Sequence, residues 1–201
     1  MDLIRAFIAI SIPSPVQNMV SNIQDRFKQI KAPVRWVKPS NLHLTLKFLG
    51  NISEEQIEET KKCLTEAGRG VNSFTLKTTE IGGFPNLNYP KVLWLGFSEP
   101  DGQLHKLAEN IEFQLQKIGF EPERRKFTPH LTIGRIKSAK GKKDIIRMIR
   151  EEKNVSCDDI CVTCFKLIKS DLKPSGPEYS VLQTFNLDKA EVCLNYNGVN
   201  Y

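Results

Sequence analysis

No stretch of the chain holds eighteen uninterrupted apolar residues, which excludes a helix that spans a bilayer. The apolar run Ala6–Ile12 follows Arg5 and faintly suggests a secretory leader. It is short, Asp2 before it is acidic, and no small-residue cleavage site comes after it. A buried first strand is the better reading, so a cytoplasmic location and no membrane partner are expected. Low-complexity tracts and Pro/Gly-rich linkers are also missing, and 201 residues suffice for one large core or two intimately packed lobes. Cysteines number five, an odd count that argues against a disulfide framework. Cys157, Cys161 and Cys164 superficially suggest zinc or redox chemistry. Their surroundings read as a strand, where residues three apart face opposite ways and cannot share one metal. Buried, reduced thiols are expected there.

Histidine is scarce as well. The chain has three, and two of them open the same tetrapeptide: His43-Leu44-Thr45-Leu46 and His130-Leu131-Thr132-Ile133. On a strand, side chains alternate between faces, so His and Thr of each copy share one face while the apolar residues point into a core. Two such strands side by side supply two imidazoles and two hydroxyls with no carboxylate among them. That set suits metal-free acid/base chemistry on a phosphate ester. The third histidine, His105, sits in a helical pattern without a Thr partner and reads as a solvated helix residue. Trp36 and Trp94 lie in apolar strands and read as packing residues.

Charge is unevenly placed. Residues 121–150 hold ten Lys or Arg against Glu121, Glu123 and Asp144, a net +7 in a chain of net +6. The block brackets the second motif, where a positive field attracts an anionic ligand such as a nucleic-acid end. For Lys140 to Arg150 a plain solvated surface stands as the equal alternative.

Strands and helices alternate along the chain. Strands are expected at Ile4–Ile12, Val34–Val37, His43–Leu49, Phe74–Ile81, Val92–Phe97, Leu131–Ile136, Cys161–Ile168 and Tyr179–Leu187. Helices are expected at Ser14–Ile30, from the Ser53-Glu54-Glu55-Gln56 capping box to about Ala67, at Asp101–Ile118 and at Lys142–Glu152. The order around each motif is similar: helix, motif strand, helix, strand, strand. This points to a duplication related by a pseudo-two-fold axis, with the two motif strands facing a central cleft. The fold class expected is α+β: two lobes with largely antiparallel sheets lining the cleft and helices outside, forming one domain over 1–201. By simple alternation Phe48 and Arg135 fall off the His/Thr faces, unless the strands bend near their ends.

His43-Leu44-Thr45-Leu46-Lys47-Phe48-Leu49-Gly50 and Phe127-Thr128-Pro129-His130-Leu131-Thr132-Ile133-Gly134-Arg135 resemble the two signatures of the two-histidine phosphoesterase superfamily. Within it the chain resembles the RNA 2′,3′-cyclic phosphodiesterase branch, formerly called 2′-5′ RNA ligases. Arg5-Ala6-Phe7-Ile8-Ala9, and Gly82-Gly83-Phe84-Pro85 followed by Val92-Leu93-Trp94-Leu95-Gly96, extend the likeness. The resemblance implies a bilobal fold and metal-independent opening of a 2′,3′-cyclic phosphate at an RNA end to a 2′-phosphomonoester. It implies His43 as proton donor, His130 as proton acceptor, and Thr45 and Thr132 as donors to the non-bridging oxygens. It also implies Arg135 and Phe48 as substrate-binding residues, no cofactor, and a monomer acting on RNA ends or tRNA-derived fragments with a cyclic phosphate. The rival readings are a phosphodiesterase or ligase for 2′-5′-linked or small cyclic nucleotides, and a non-catalytic RNA-end-binding module.

Overall fold

A computed structural model describes residues 3–152, 155 and 159–189. Cys157 lies outside them. The chain runs β1 (Ile4–Ser11), α1 (Ser14–Lys28), β2 (Val34–Trp36), β3 (His43–Ile52), α2 (Glu54–Gly68), β4 (Phe74–Phe84), β5 (Val92–Ser98), α3 (Gln103–Gln116), β6 (His130–Ile136), α4 (Lys142–Glu151), β7 (Ile160–Val162), β8 (Cys164–Lys173) and β9 (Gly176–Asn186). The expected α+β class and antiparallel pairing hold. The strands form one sheet in the order β7-β4-β5-β6-β3-β1-β8-β9, with β2 alongside β6. Every strand pairing among the described residues is antiparallel.

Local chemistry explains the helices. Pro15 stands in the first turn of α1, where its missing N–H costs nothing. Ser53 and Gln56 form the expected capping box at the start of α2. The buried residues Val16, Val20, Ile23 and Phe27 of α1, and Leu104, Leu107, Ile111 and Leu115 of α3, make helical stripes. These stripes join Leu44, Leu46, Leu131 and Ile133 in one continuous core on the helix-covered face of the sheet. A smaller apolar patch of Phe7, Ala9 and Ile168 with Tyr179 lies apart from that core.

The order reveals how the duplication is assembled. One repeat is β1-α1-β3-α2-β4 and the other β5-α3-β6-α4-β8. Strand β4 pairs with β5, and β8 pairs with β1, so each repeat lends its last strand to the other. The expected Cys161–Ile168 strand is two strands, broken at Thr163. Strand β7 belongs beside β4 and β8 beside β1, so one residue carries the chain between opposite arms of the sheet. The sheet therefore curls until its arms meet, and a parallel bridge from Asn72 to Asp188 joins them.

Cys161 is disulfide-bonded and half-buried, whereas Cys63 and Cys164 are free. For Cys161 this corrects the expectation of a buried, reduced thiol, while Cys164 is free as expected but half-buried. Strand β7 is an edge strand, so its cysteine is not sealed in the core.

Candidate active site

The two motif strands lie side by side at the middle of the sheet, joined at Leu44 and Leu131. Both leucines are fully buried. Alternation then places His43 and Thr45 of β3, and His130 and Thr132 of β6, on the opposite face. They line a pocket of about 70 Å³ together with Val37, Asn41, Phe48 and Arg135.

Phe48 and Arg135 reach this face through a device that the sequence reading left open. In β3, Ala9 faces Thr45 and Ile8 faces Lys47, so Leu46 is an extra residue, a β-bulge. In β6, Trp94 faces Thr132 and Leu93 faces Gly134, so Ile133 is extra. Both bulges fall on the fourth residue of the tetrapeptide. Each resets the alternation by one, so the residue five positions after the histidine returns to the histidine's face. Phe48 and Arg135 are thus pseudo-symmetric equivalents. The residues inside the bulges turn the other way. Lys47 is buried, and its ammonium donates to both Glu112 carboxylate oxygens at 2.8 and 2.7 Å and to the Glu121 carbonyl at 2.9 Å. Gly134 lies beneath Trp36, where an added methyl would stand 2.9 Å from the ring. Buried Gln24 of α1 donates to the Ile133 carbonyl at 2.9 Å and to the Val37 carbonyl at 2.8 Å. The Ile133 carbonyl at the bulge also accepts from the Val37 amide at 3.1 Å, so Gln24 is its second donor.

The histidines are held alike. Asn41, two residues before His43, accepts at its carbonyl oxygen from Nδ1 at 2.8 Å. Thr128 does the same for His130 at 2.7 Å. A carbonyl only accepts, so Nδ1 carries the proton in each ring and Nε2 is left to exchange protons. Neither Nε2 has a hydrogen-bond partner among the described residues.

Aromatic walls differ between the two sides. The Phe7 ring lies 4.6 Å from the His43 ring, and Tyr179 meets His43 edge-on at 5.3 Å. Phe84 meets His130 edge-on at 4.9 Å, with Trp94 at 6.5 Å. Burial lowers the His43 pKa below the ordinary histidine value, partly offset by its bond to Asn41. Burial raises the Tyr179 pKa, and the positive charges of Arg135 and Arg5 oppose that rise.

The structure thus brings together every site residue named from the sequence: His43, Thr45, Phe48, His130, Thr132 and Arg135. Trp36 packs against Phe27 and over Gly134, as read. Trp94 does more than pack, because its ring stands in the His130 wall. The Gly82-Gly83 pair makes that possible: a methyl on Gly82 would lie 2.1 Å from the Trp94 ring. His105 lies on α3 against Phe127, away from the pocket. Sequence reasoning missed Tyr179, the two carbonyl tethers and Gln24. For Gln24 a signal existed, a polar residue on the apolar stripe of α1. Tyr179 carried none, because its nearness to His43 depends on β9 pairing with β8 and β8 with β1. Among the described residues no three His, Cys, Asp or Glu side chains converge to hold a metal ion. No helix among them is long and apolar enough to cross a membrane.

Comparison with known proteins places this geometry. A LigT-like phosphoesterase family model matches twice, over residues 10–94 and 95–179, one match per motif. The RNA 2′,3′-cyclic phosphodiesterase of Methanothermobacter thermautotrophicus is 35% identical over 184 residues, covering 92% of this chain and 99% of that protein. Among solved structures, TT0787 of Thermus thermophilus superposes with a TM-score of 0.75 at 27% identity, covering 92% of this chain and 98% of the other. Escherichia coli LigT complexed with 3′-AMP superposes with a TM-score of 0.73 at 27% identity, covering 92% and 99%.

Proposed function

The chain belongs to the LigT-like phosphoesterase family, and from that premise we propose that it hydrolyses RNA 2′,3′-cyclic phosphodiester ends to 2′-phosphomonoesters. One observation carries the reading. Two imidazoles, each with Nδ1 tied to the carbonyl two residues back, present free Nε2 atoms to one pocket beside two threonine hydroxyls and a guanidinium. Relatives named RNA 2′,3′-cyclic phosphodiesterase at about one-third identity over most of the chain support it.

The residues divide the work as follows. His130 Nε2 takes a proton from water as the water oxygen bonds to phosphorus. The P–O3′ bond breaks on the opposite side, and His43 Nε2–H gives its proton to the departing O3′. The products are a 2′-phosphomonoester and a free 3′-hydroxyl, and each histidine leaves the step in the other's starting state. Thr45, Thr132 and Arg135 hold the non-bridging oxygens, where charge builds in the transition state. Phe48 offers an exposed ring to the terminal base. A non-catalytic RNA-binding module has no use for two free Nε2 atoms.

Burial lowers the His43 pKa in the free protein, the wrong direction for an acid. The phosphate anion corrects this on arrival, because an adjacent negative charge favours the imidazolium. Substrate binding therefore loads the acid.

The test is a short RNA with a 2′,3′-cyclic phosphate end, its product resolved by phosphorus NMR. In-line attack in a fixed pose permits one isomer, the 2′-phosphate. A predominantly 3′-phosphate product would reverse the acid and base relative to the ribose and overturn the reading. The chain as a whole, 1–201, is proposed to act as one bilobal domain and a monomer, in the cytoplasm.

A further inference from the structure

Beyond Arg135, further cations cluster where β5 begins and β6 ends. In the ladder Arg135 stands opposite Val92. Lys91 precedes Val92, and its carbonyl accepts from the Ile136 amide at 2.9 Å. Lys137 follows β6, and its amide donates to the Pro33 carbonyl at 2.8 Å. The β4–β5 connection beside them carries Tyr89, which is 69% exposed. Its ring is presented on a built tip. Asn86 Oδ1 accepts from the amides of Asn88 and Tyr89, each at 3.0 Å, while Leu87 and Pro90 close over Gly83. Lys142, the first residue of α4, places its ammonium 5.2 Å from the Tyr89 ring centroid.

Two further facts set this patch apart. Arg135, Lys91, Lys137, Lys140, Lys142 and Lys143 make no ion pair among the described residues, and Asp144 beside them is already taken by Arg147. Lys142 and Lys143 also occupy the first turn of α4, where the helix dipole disfavours cations. Apart from the Lys142–Tyr89 contact the folded chain gains no pairing from such placement, whereas an anion lying across the tip gains from every charge in it. Tyr89 is three residues from Val92, a reach of about 10 Å at most.

We infer that the Tyr89 tip is a second nucleotide site, in which Tyr89 stacks a base upstream of the cyclic phosphate and Lys91, Lys137 and Lys142 hold the intervening phosphates of a single-stranded RNA. An aromatic platform edged with cations has the chemistry that single strands require: a ring for the base, charge for the backbone. The site rests on the cyclic phosphodiesterase reading and narrows it, because only a polynucleotide spans both places. A mononucleotide fills the pocket and leaves the tip empty.

The experiment compares a 2′,3′-cyclic mononucleotide with a five-nucleotide RNA carrying the same cyclic end, in wild-type protein and in Tyr89→Ala, Tyr89→Phe and Lys142→Gln. Tyr89→Ala should raise KM for the oligomer about fivefold or more, the effect of losing one stacked base, and leave mononucleotide turnover unchanged. Tyr89→Phe should keep wild-type behaviour on both. Lys142→Gln should reduce the salt slope of oligomer KM by about 0.7, the share of one phosphate contact on a single strand. Unchanged mononucleotide turnover also shows that each variant is folded. Equal effects on both substrates, or none on either, would overturn the second site while leaving the chemistry standing. Should wild type turn over neither substrate, the activity reading falls, and fluorescence anisotropy with the same RNA bearing a 2′-phosphate end decides the site alone. Weaker binding by Tyr89→Ala supports it, and unchanged binding refutes it.

Discussion

At the scale of single residues the two halves of the pocket are alike in what holds each histidine and unlike in what surrounds it. Both rings are fixed by a carbonyl two positions back, so removing either imidazole should cost activity without disturbing the sheet. His43→Ala and His130→Ala are each expected to lower turnover about a hundredfold or more, the scale of one acid/base group. His105→Ala, away from the pocket, should match wild type. The walls then separate the roles. His43 is pressed between Phe7 and Tyr179, and burial favours its neutral form. The free protein therefore loses the His43 proton at lower pH than an ordinary histidine would. With the phosphate anion bound, the loss moves to higher pH. Since kcat/KM reports the free protein and kcat the complex, the alkaline limb of kcat should lie above that of kcat/KM. Coincident alkaline limbs in the two profiles would show that substrate does not load His43.

At the scale of elements the decisive objects are two bulges, at Leu46 of β3 and at Ile133 of β6. Positions 43–48 and 130–135 share one burial pattern, alternating for four residues and then doubling the buried position. That doubling sends Lys47 and Gly134 inward and brings Phe48 and Arg135 back toward the pocket. Gln24 helps hold the second bulge from α1, with both of its acceptors in the strand layer. Gln24→Leu takes the side-chain donor from the half-buried Val37 carbonyl and one of two donors from the Ile133 carbonyl, and should destabilise the fold by about 1–3 kcal/mol. It should also raise KM for RNA as Arg135→Ala does, because the bulge aims Arg135. A loss of stability with KM unmoved would show that the bulge holds without Gln24. Gly82→Ala tests the opposite wall. The methyl has no room beneath Trp94, so a cost of about 1–3 kcal/mol is expected in thermal melts, with displacement of the ring beside His130.

At the scale of the whole molecule the two repeats cannot be pulled apart. Each donates its last strand to the other, and α2 and α3 come from different repeats yet close over the same core. Cutting the chain near residue 88, in the connection between β4 and β5, strands β4 without β5 and β1 without β8. Each half expressed alone should therefore remain unfolded by circular dichroism, and mixing the halves should restore structure and activity together. Independent folding of either half would contradict the exchange.

The amino-acid sequence by itself determined the chemistry and most of the elements. His-apolar-Thr-apolar, written twice, needs only strand alternation to place an imidazole and a hydroxyl together. The capping box at Ser53 and the stripes of α1 and α3 are equally local. What the sequence could not decide is parity. A bulge leaves no mark in composition and exists only because a partner strand is one residue shorter in register. Whether Phe48 and Arg135 face the pocket or the core was therefore settled by β1 and β5 pairing with the motif strands. The same holds for Tyr179 beside His43 and for the break at Thr163. Each depends on which arm of the curled sheet a segment joins, a choice made by contacts between residues far apart in the chain.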